Sequence, residues 1–292
     1  MLVKSVSIGE LLYDVFPDGE RLGGAPSNFA YHLESQGGAS SLVSAVGDDP
    51  RGTSAIDSLR ESGVDVGGVT TVADKPTGSV VVELKDGHPS YDIIQDVAWD
   101  HIDLTADAAS SAREADLLCW GTLGQRSCRS LQAHRQLFDL VPDTCLRVCD
   151  INFRMHFHSE EVVVDSLKRA DPLKLNDEEV QKLRGYVGGF AQNREFLREL
   201  RHRFEIQTIV LTLGSAGCRV CAHNTDFKAP GLEVDVVNTV GSGDAFTAAF
   251  VMKMLNGADL WDCARHANRV GAYVATQDSG MPTMPDEYRV VH

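Results

Sequence analysis

The chain is short of positive charge. Over 292 residues, 27 Lys and Arg stand against 42 Asp and Glu, a formal net charge of −15. So acidic a surface repels both a phosphate backbone and an anionic bilayer, which argues against nucleic acid or a membrane as a broad partner. A small anion held in a local pocket is still allowed. No stretch approaches the ~20 apolar residues of a membrane span. The opening Met1-Leu-Val-Lys-Ser-Val-Ser-Ile-Gly-Glu10 meets a carboxylate too early to hold the apolar core of a secretion signal. Gly (26) and Pro (10) are at ordinary levels, which excludes collagen-like or low-complexity architecture. The seven Cys are odd in number, and Cys218-Arg-Val-Cys221 has no second ligand pair nearby, so reduced thiols in a cytoplasmic protein are expected.

What is present is alternation. Short β-branched or continuously apolar runs predict strands at residues 3–8, 42–46, 116–120, 146–150, 172–175 and 208–213. Helical spacing predicts helices at 27–34, 53–61, 127–140, 162–169, 178–183, 194–203, 245–256 and 260–275. Alternation of this kind implies an α/β fold, a doubly wound and mainly parallel sheet flanked by helices, in one domain over 1–292. Two stretches break the pattern. Residues 14–24 carry a turn at Pro17-Asp-Gly19, and residues 77–100 read as a hairpin turning at Asp86-Gly87. They are expected to form a small β lid, with two roles open to it: a cover over a ligand, and a contact between two copies of the chain.

The most informative segment is Val236-Val-Asn-Thr-Val-Gly241-Ser242-Gly243-Asp244-Ala-Phe-Thr-Ala-Ala-Phe250. Here a loop with two glycines runs directly into an apolar helix. The first amides of a helix lack intrahelical partners and its dipole is positive there, so such a turn holds anions. Gly241 and Gly243 allow close backbone approach. Asp244 is the odd member, because a carboxylate repels an anion unless it has a task such as accepting a proton from an attacking hydroxyl. Phosphoryl transfer fits that combination, since positioning and charge stabilisation supply most of its rate. The plainer alternative makes Asp244 a first-turn carboxylate that favours the helix dipole. No Lys follows the glycines, so this is not a Walker A loop, and the spacing does not match the dinucleotide G-x-G-x-x-G pattern.

Asn238-Thr-Val-Gly-Ser-Gly-Asp-Ala-Phe246 resembles the C-terminal motif of the ribokinase-like (PfkB) carbohydrate kinases. The N-terminal half carries a companion pattern in Leu22-Gly-Gly-Ala-Pro-Ser-Asn28, Gly37-Gly38 and Ala45-Val-Gly-Asp-Asp-Pro-Arg-Gly52. Between them, Asn176-Asp-Glu-Glu179 matches the family's N-x-x-E. Within the family the chain is most similar to fructokinases, through Gly9-Glu10, Asp14, Ala98-Trp-Asp100, Gly121-Thr-Leu-Gly-Gln-Arg126 and Asp150-Ile-Asn-Phe-Arg154.

That resemblance implies a ribokinase-like fold and ATP- and Mg²⁺-dependent phosphorylation of a sugar primary hydroxyl, with fructose first and 2-keto-3-deoxygluconate or another sugar or nucleoside next. By the resemblance Asp244 is the catalytic base, and the amides of Gly241, Ser242 and Gly243 form the anion hole. Asp14, Gly24 and Asn28 hold sugar hydroxyls, and Arg154 lies near substrate or the transferred phosphate. Asn176 and Glu179 act on Mg²⁺ through water, although the same spacing is that of a helix capping box. Thr212, Gly214 and Gly217 belong to a nucleotide-binding turn, and Ala267 and Asn268 border the adenine. Asn238 and Val240 fall at the family's monovalent-cation site. Asn238 stands where an Asp is usual, and Ser279-Gly280 replaces a frequent Gly-Ala pair, so K⁺ activation is expected to be weak. A catalytically silent sugar- or nucleotide-binding regulator is the rival reading, disfavoured by the intact Asp244. His156-x-His158 and the scattered His101, His202, His223 and His266 lack the offsets of a metal site and read as solvated or capping residues.

Overall fold

The computed structural model describes residues 2–85 and 88–290. In chain order its strands are β1 (Lys4–Ile8), β2 (Leu12–Phe16), β3 (Gly19–Gly23), β4 (Ala39–Gly47), β5 (Asp65–Val72), β6 (Gly78–Lys85) and β7 (His88–Ile93). They continue as β8 (Leu117–Trp120), β9 (Leu146–Asp150), β10 (Pro172–Asn176), β11 (Thr208–Thr212), β12 (Cys218–Ala222) and β13 (Thr225–Ala229). The helices are α1 (Ala25–Ser35), α2 (Pro50–Glu61), α3 (Ala106–Arg113), α4 (Cys128–Leu140) and α5 (Glu160–Arg169). After them come α6 (Asp177–Val187), α7 (Asn193–Arg203), α8 (Ser242–Leu255) and α9 (Leu260–Ala275).

Nine strands form one sheet in the order β13-β12-β11-β10-β9-β8-β1-β4-β5. Pairing is parallel from β5 across to β11, and only β12 and β13 run antiparallel at the far edge. The chain leaves β1 toward β4 on one side and returns through β8 to the other. The order therefore reverses at β1, and in open α/β sheets the carboxyl ends of strands at such a switch point form the ligand crevice.

Alternation of side chains explains why the central strands are apolar throughout. In β8, Leu117 and Cys119 face the core under α1, α8 and α9, whereas Leu118 and Trp120 face the core under α3 to α7. The helix α8 has no polar stripe. It is buried along most of its length, because sheet, α1 and α9 surround it.

The second sheet has the order β3-β2-β6-β7. It arises from the two stretches that broke the alternation, and the expected turn at Asp86-Gly87 lies outside the described residues. Cys218-Arg-Val-Cys221 alternates as a strand is expected to and forms β12, but three elements were not anticipated. β5 contains Gly67-Gly68, α3 is a short Ala- and Ser-rich helix, and β13 completes an edge hairpin. α8 begins at Ser242, three residues ahead of the expected 245, so Asp244 lies inside its first turn. All seven cysteines are free; Cys128 is exposed and the others are buried.

Candidate active site

The crevice is built from the carboxyl ends of β1, β8, β9, β10 and β11, closed from one face by the starts of α1 and α8. Gly241 precedes α8 at φ 77°, and a Cβ there would lie 2.5 Å from the Gly280 carbonyl oxygen, so both conformation and space require glycine. The Ser242 amide turns back onto Thr239 O at 3.3 Å. By helix geometry the Gly243 and Asp244 amides are then the open donors at this end. Val240 N–H donates to Asn238 Oδ1 at 3.0 Å, which fixes the approach to the turn.

Asp244 stands on this first turn. Asn28 Nδ2, from α1, donates to its Oδ2 at 2.7 Å. Burial and the nearby Asp150 carboxylate push Asp244 up to about 6, against the Asn28 amide, Lys174 and Arg154, which all favour the ionised form. A pocket of about 10 Å³, lined by Pro26, Phe29, Cys119, Gly121, Asp150 and Asp244, lies against it.

Beneath the turn is a buried ion pair that sequence reading missed. Lys174 Nζ, from β10, donates to Asp150 Oδ1 at the end of β9 at 3.0 Å. The Thr247 hydroxyl is 3.1 Å from Asp150 Oδ2 and 2.9 Å from Gly243 O, which ties the pair to α8. A Cβ on Gly243 would lie 3.3 Å from Lys174 Nζ, so the ammonium sits directly under the glycine turn. Burial works to lower the Lys174 ammonium, but Asp150, Glu179 and Asp244 together hold it above the ordinary lysine value. A single Lys inside an otherwise apolar central strand was the available signal, since a buried ammonium needs a partner.

Glu10, just beyond β1, is a second missed group. It is buried, one of its oxygens has no partner, and burial pushes it up to about 7 against Arg154. Asp14 on β2 is pushed by burial to about 6, also against Arg154. Gly24 caps α1 at φ 107°, and a Cβ there would lie 2.3 Å from Glu10 O. Asn152 at φ 45° turns the chain out of β9 and presents Arg154. Arg154 is exposed and has no ion-pair partner among the described residues, and its charge is felt at Glu10, Asp14, Asp244 and Glu179.

On the other side of Gly243 a cleft of about 550 Å³ opens, lined among others by Asn176, Thr212, Gly214, Gly217, Gly243 and Asn268. Gly217 takes φ 90°, and a Cβ there would lie 2.2 Å from Ala229 O. Asn268 Nδ2 donates to Pro230 O at 3.0 Å. Ala267, expected at the same border, is instead wholly buried in the core shared with α8 and does not line the cleft. A helix in contact with the cleft shows it only one face, and Asn268, Gly271, Ala272 and Ala275 are that face.

Asn176 and Glu179 do form a capping box. Glu179 N–H donates to Asn176 Oδ1 at 2.9 Å, and Asn176 N–H donates to Glu179 Oε2 at 2.7 Å. The other Glu179 oxygen is buried without a partner. Burial raises the Glu179 carboxyl, and Lys174 opposes the rise. Among the described residues, no cluster of three or more His, Cys, Asp or Glu has metal-site geometry, and no helix is long and apolar enough to cross a membrane.

The uncharacterized sugar kinase PH1459 of Pyrococcus horikoshii is 32% identical over 298 residues, spanning 96% of this chain and 92% of its own. Its crystal structure in complex with ATP superposes with a TM-score of 0.80 at 28% identity, over 95% of this chain and 94% of that one. Fructokinase-1 of Oryza sativa subsp. japonica is 26% identical over 98% of this chain and 96% of its own. Fructokinase from Vibrio cholerae O395, solved with fructose, ADP and calcium, gives a TM-score of 0.81 at 25% identity, covering 97% and 96% of the two chains. The model of the pfkB family carbohydrate kinases matches residues 5–287. The chain belongs to the pfkB family of carbohydrate kinases and is a sugar kinase.

Proposed function

We propose that this kinase transfers the γ-phosphoryl group of ATP to a primary hydroxyl of a ketose, with fructose as the preferred acceptor and Asp244 as the base. The observation that carries the reading is the placement of Asp244. It is a carboxylate raised to about 6, held by Asn28, on the same helical turn as two open amides and beside a cleft of nucleotide size. Fructose is supported by the fructokinases among the relatives and by the polyol-binding character of Asp14 and Asn28.

In this mechanism the sugar lies between β2, Asn28 and Asp244. Asp244 Oδ1, the oxygen not occupied by Asn28, accepts the hydroxyl proton as the oxygen attacks phosphorus. The γ-phosphoryl charge spreads onto its equatorial oxygens, where the Gly243 and Asp244 amides and the α8 dipole meet it. Lys174, held under Gly243 by Asp150, adds positive potential below the same oxygens. The buried, unpartnered Glu179 oxygen, beside Asn176 at the cleft, suits a hydrated divalent cation, which makes the water-mediated role of both residues chemically consistent. When bound, Mg²⁺ supplies neutralisation of the phosphate charge.

The test is ADP release measured with a panel of fructose, other hexoses and pentoses, 2-keto-3-deoxygluconate and nucleosides. Fructose should give the highest kcat/KM. A higher value with another acceptor would overturn the fructose assignment, and no turnover with any of them would overturn the kinase mechanism itself.

A further inference from the structure

The α1 residues facing the start of α8 do more than hold Asp244. Asn28, Tyr31 and His32 recur at i, i+3 and i+4 and therefore share one face of the helix. Asn28 donates to Asp244. One turn on, Tyr31 Oη donates to Pro282 O at 2.7 Å, and His32 Nε2 lies 2.8 Å from Gly280 O. A carbonyl can only accept, so Nε2 carries the proton and Nδ1, which has no partner, does not. His32 is completely buried, and burial lowers it to about 4, so it is neutral at physiological pH. A neutral buried ring adds no charge to the site. It can act only through the direction of its one N–H.

That N–H grips a carbonyl with a particular neighbour. The Gly280 backbone is pressed against Gly241, close enough that a Cβ on Gly241 would overlap the Gly280 oxygen, Cα and carbonyl carbon at 2.5, 2.6 and 2.9 Å. Gly241 is the left-handed residue whose conformation aims the first amides of α8. We infer that His32 is a positioning residue for phosphoryl transfer: by holding the Gly280 carbonyl it backs the Gly241 turn and fixes where the open amides of α8 point, with Tyr31 as a second tie on the same segment. This rests on the assignment of that turn as the anion hole.

Without the donor, the buried Gly280 oxygen is left unpaired and must turn to find a new partner, and Gly241 moves with it. A displacement of a fraction of an ångström there weakens contact with charge that exists only in the transition state, so the loss belongs in kcat. Steady-state kinetics on the full chain, with the best acceptor of the sugar panel, test this. His32→Leu should lower kcat roughly 10- to 100-fold while both KM values stay within about threefold. His32→Gln, whose Nε2 reaches about as far as the ring nitrogen, should restore most of the loss. An unchanged kcat in His32→Leu overturns the inference. So does an equal loss in both variants accompanied by an equal drop in melting temperature, which would mark a purely structural residue. If His32→Leu does not fold, Tyr31→Phe decides: a fall in kcat at constant KM supports the inference, and an unchanged kcat overturns it. Asp244→Asn separates the two levels. Loss of turnover there with normal turnover in His32→Leu rejects His32 alone, whereas near-normal turnover in Asp244→Asn rejects the assignment on which it rests.

Discussion

Two buried ion pairs lie within the same crevice-facing end of the molecule, and they are built differently. Arg126 and Asp100 form a bidentate pair, Nε to Oδ1 and Nη2 to Oδ2, both 2.7 Å. The guanidinium lies 3.8 Å from the Trp99 ring centroid and 4.8 Å from that of Phe157, donates also to Ile94 O, and Asp100 Oδ2 accepts from Val97 N. Lys174 and Asp150 meet through a single contact of 3.0 Å, with Glu179 and Asp244 close enough to raise the ammonium. The first pair places its further hydrogen bonds on the chain around it, with Arg126 Nη1 left unpartnered, and anchors the segment following β7. The second keeps part of its field for the glycine turn above it. A planar fork suits the first task and a compact point charge the second. A buried ion pair is thus not one kind of object: its remaining hydrogen bonds decide whether it holds structure or serves chemistry.

The largest expected effect is at the carboxylate nearest the second pair. Asp244→Asn should lower kcat by a factor on the order of 10²–10⁴, the usual worth of a general base, with ATP affinity measured by titration almost unchanged.

Next come the pairs themselves. Lys174→Met leaves Asp150 buried and unpaired, and Arg126→Met does the same to Asp100. Each should cost about 3–5 kcal/mol in denaturant unfolding. Replacing both partners should recover most of that stability in either place. Turnover per folded molecule then separates them. It should survive in the Asp100→Leu, Arg126→Met double variant and stay depressed in Asp150→Leu, Lys174→Met. Equal activity in the two doubles would erase the distinction.

The pH dependence is the third probe. Asp244 must be ionised to accept a proton, so kcat/KM should fall about tenfold per unit as pH drops below about 6. Stability moves the other way for the same groups. Asp244 and Asp14 at about 6 and Glu10 at about 7 lie above their ordinary values. The folded state therefore keeps protons that the unfolded chain releases, and this contribution is present below pH 4 and lost as pH rises to about 7. Asp244→Asn should flatten that slope in pH-dependent melting curves.

The smallest effect concerns the capping box near Lys174. Asn176→Ala should cost about 1 kcal/mol of stability as a lost N-cap. It should also raise the Mg²⁺ concentration for half-maximal rate, which a cap with no part in metal binding would leave alone.

The contrast between the pairs also marks what could be read without coordinates. The six anticipated strands and eight helices all formed, because continuous apolar runs and 3.6-residue spacing are local properties. Asp244 was legible because glycines before a helix announce an anion site and a carboxylate among them demands explanation. Lys174 was not, since its neighbours in β10 are those of an ordinary core strand and its partner is 24 residues away on another strand. Glu10 was hidden for a similar reason, its burial being produced by α1 folding back over the end of β1. α3 escaped because Ala and Ser give weak amphipathic contrast, and β5 because paired glycines argue against a strand. Ala267 was misplaced because a motif position does not say which side of a helix meets the cleft.

α8 is walled by a sheet and two helices, and that has a use beyond stability. A rod gripped on every flank keeps its tip still, so the proposed proton acceptor, Asp244, is a fixed reference against which different alcohols can be tried. The strand proposed to meet the sugar, β2, belongs to a separate sheet with its own hydrogen-bond ladder. Acceptor preference can therefore be re-engineered there, by exchanging residues around Asp14, without touching the part of the molecule that performs the transfer.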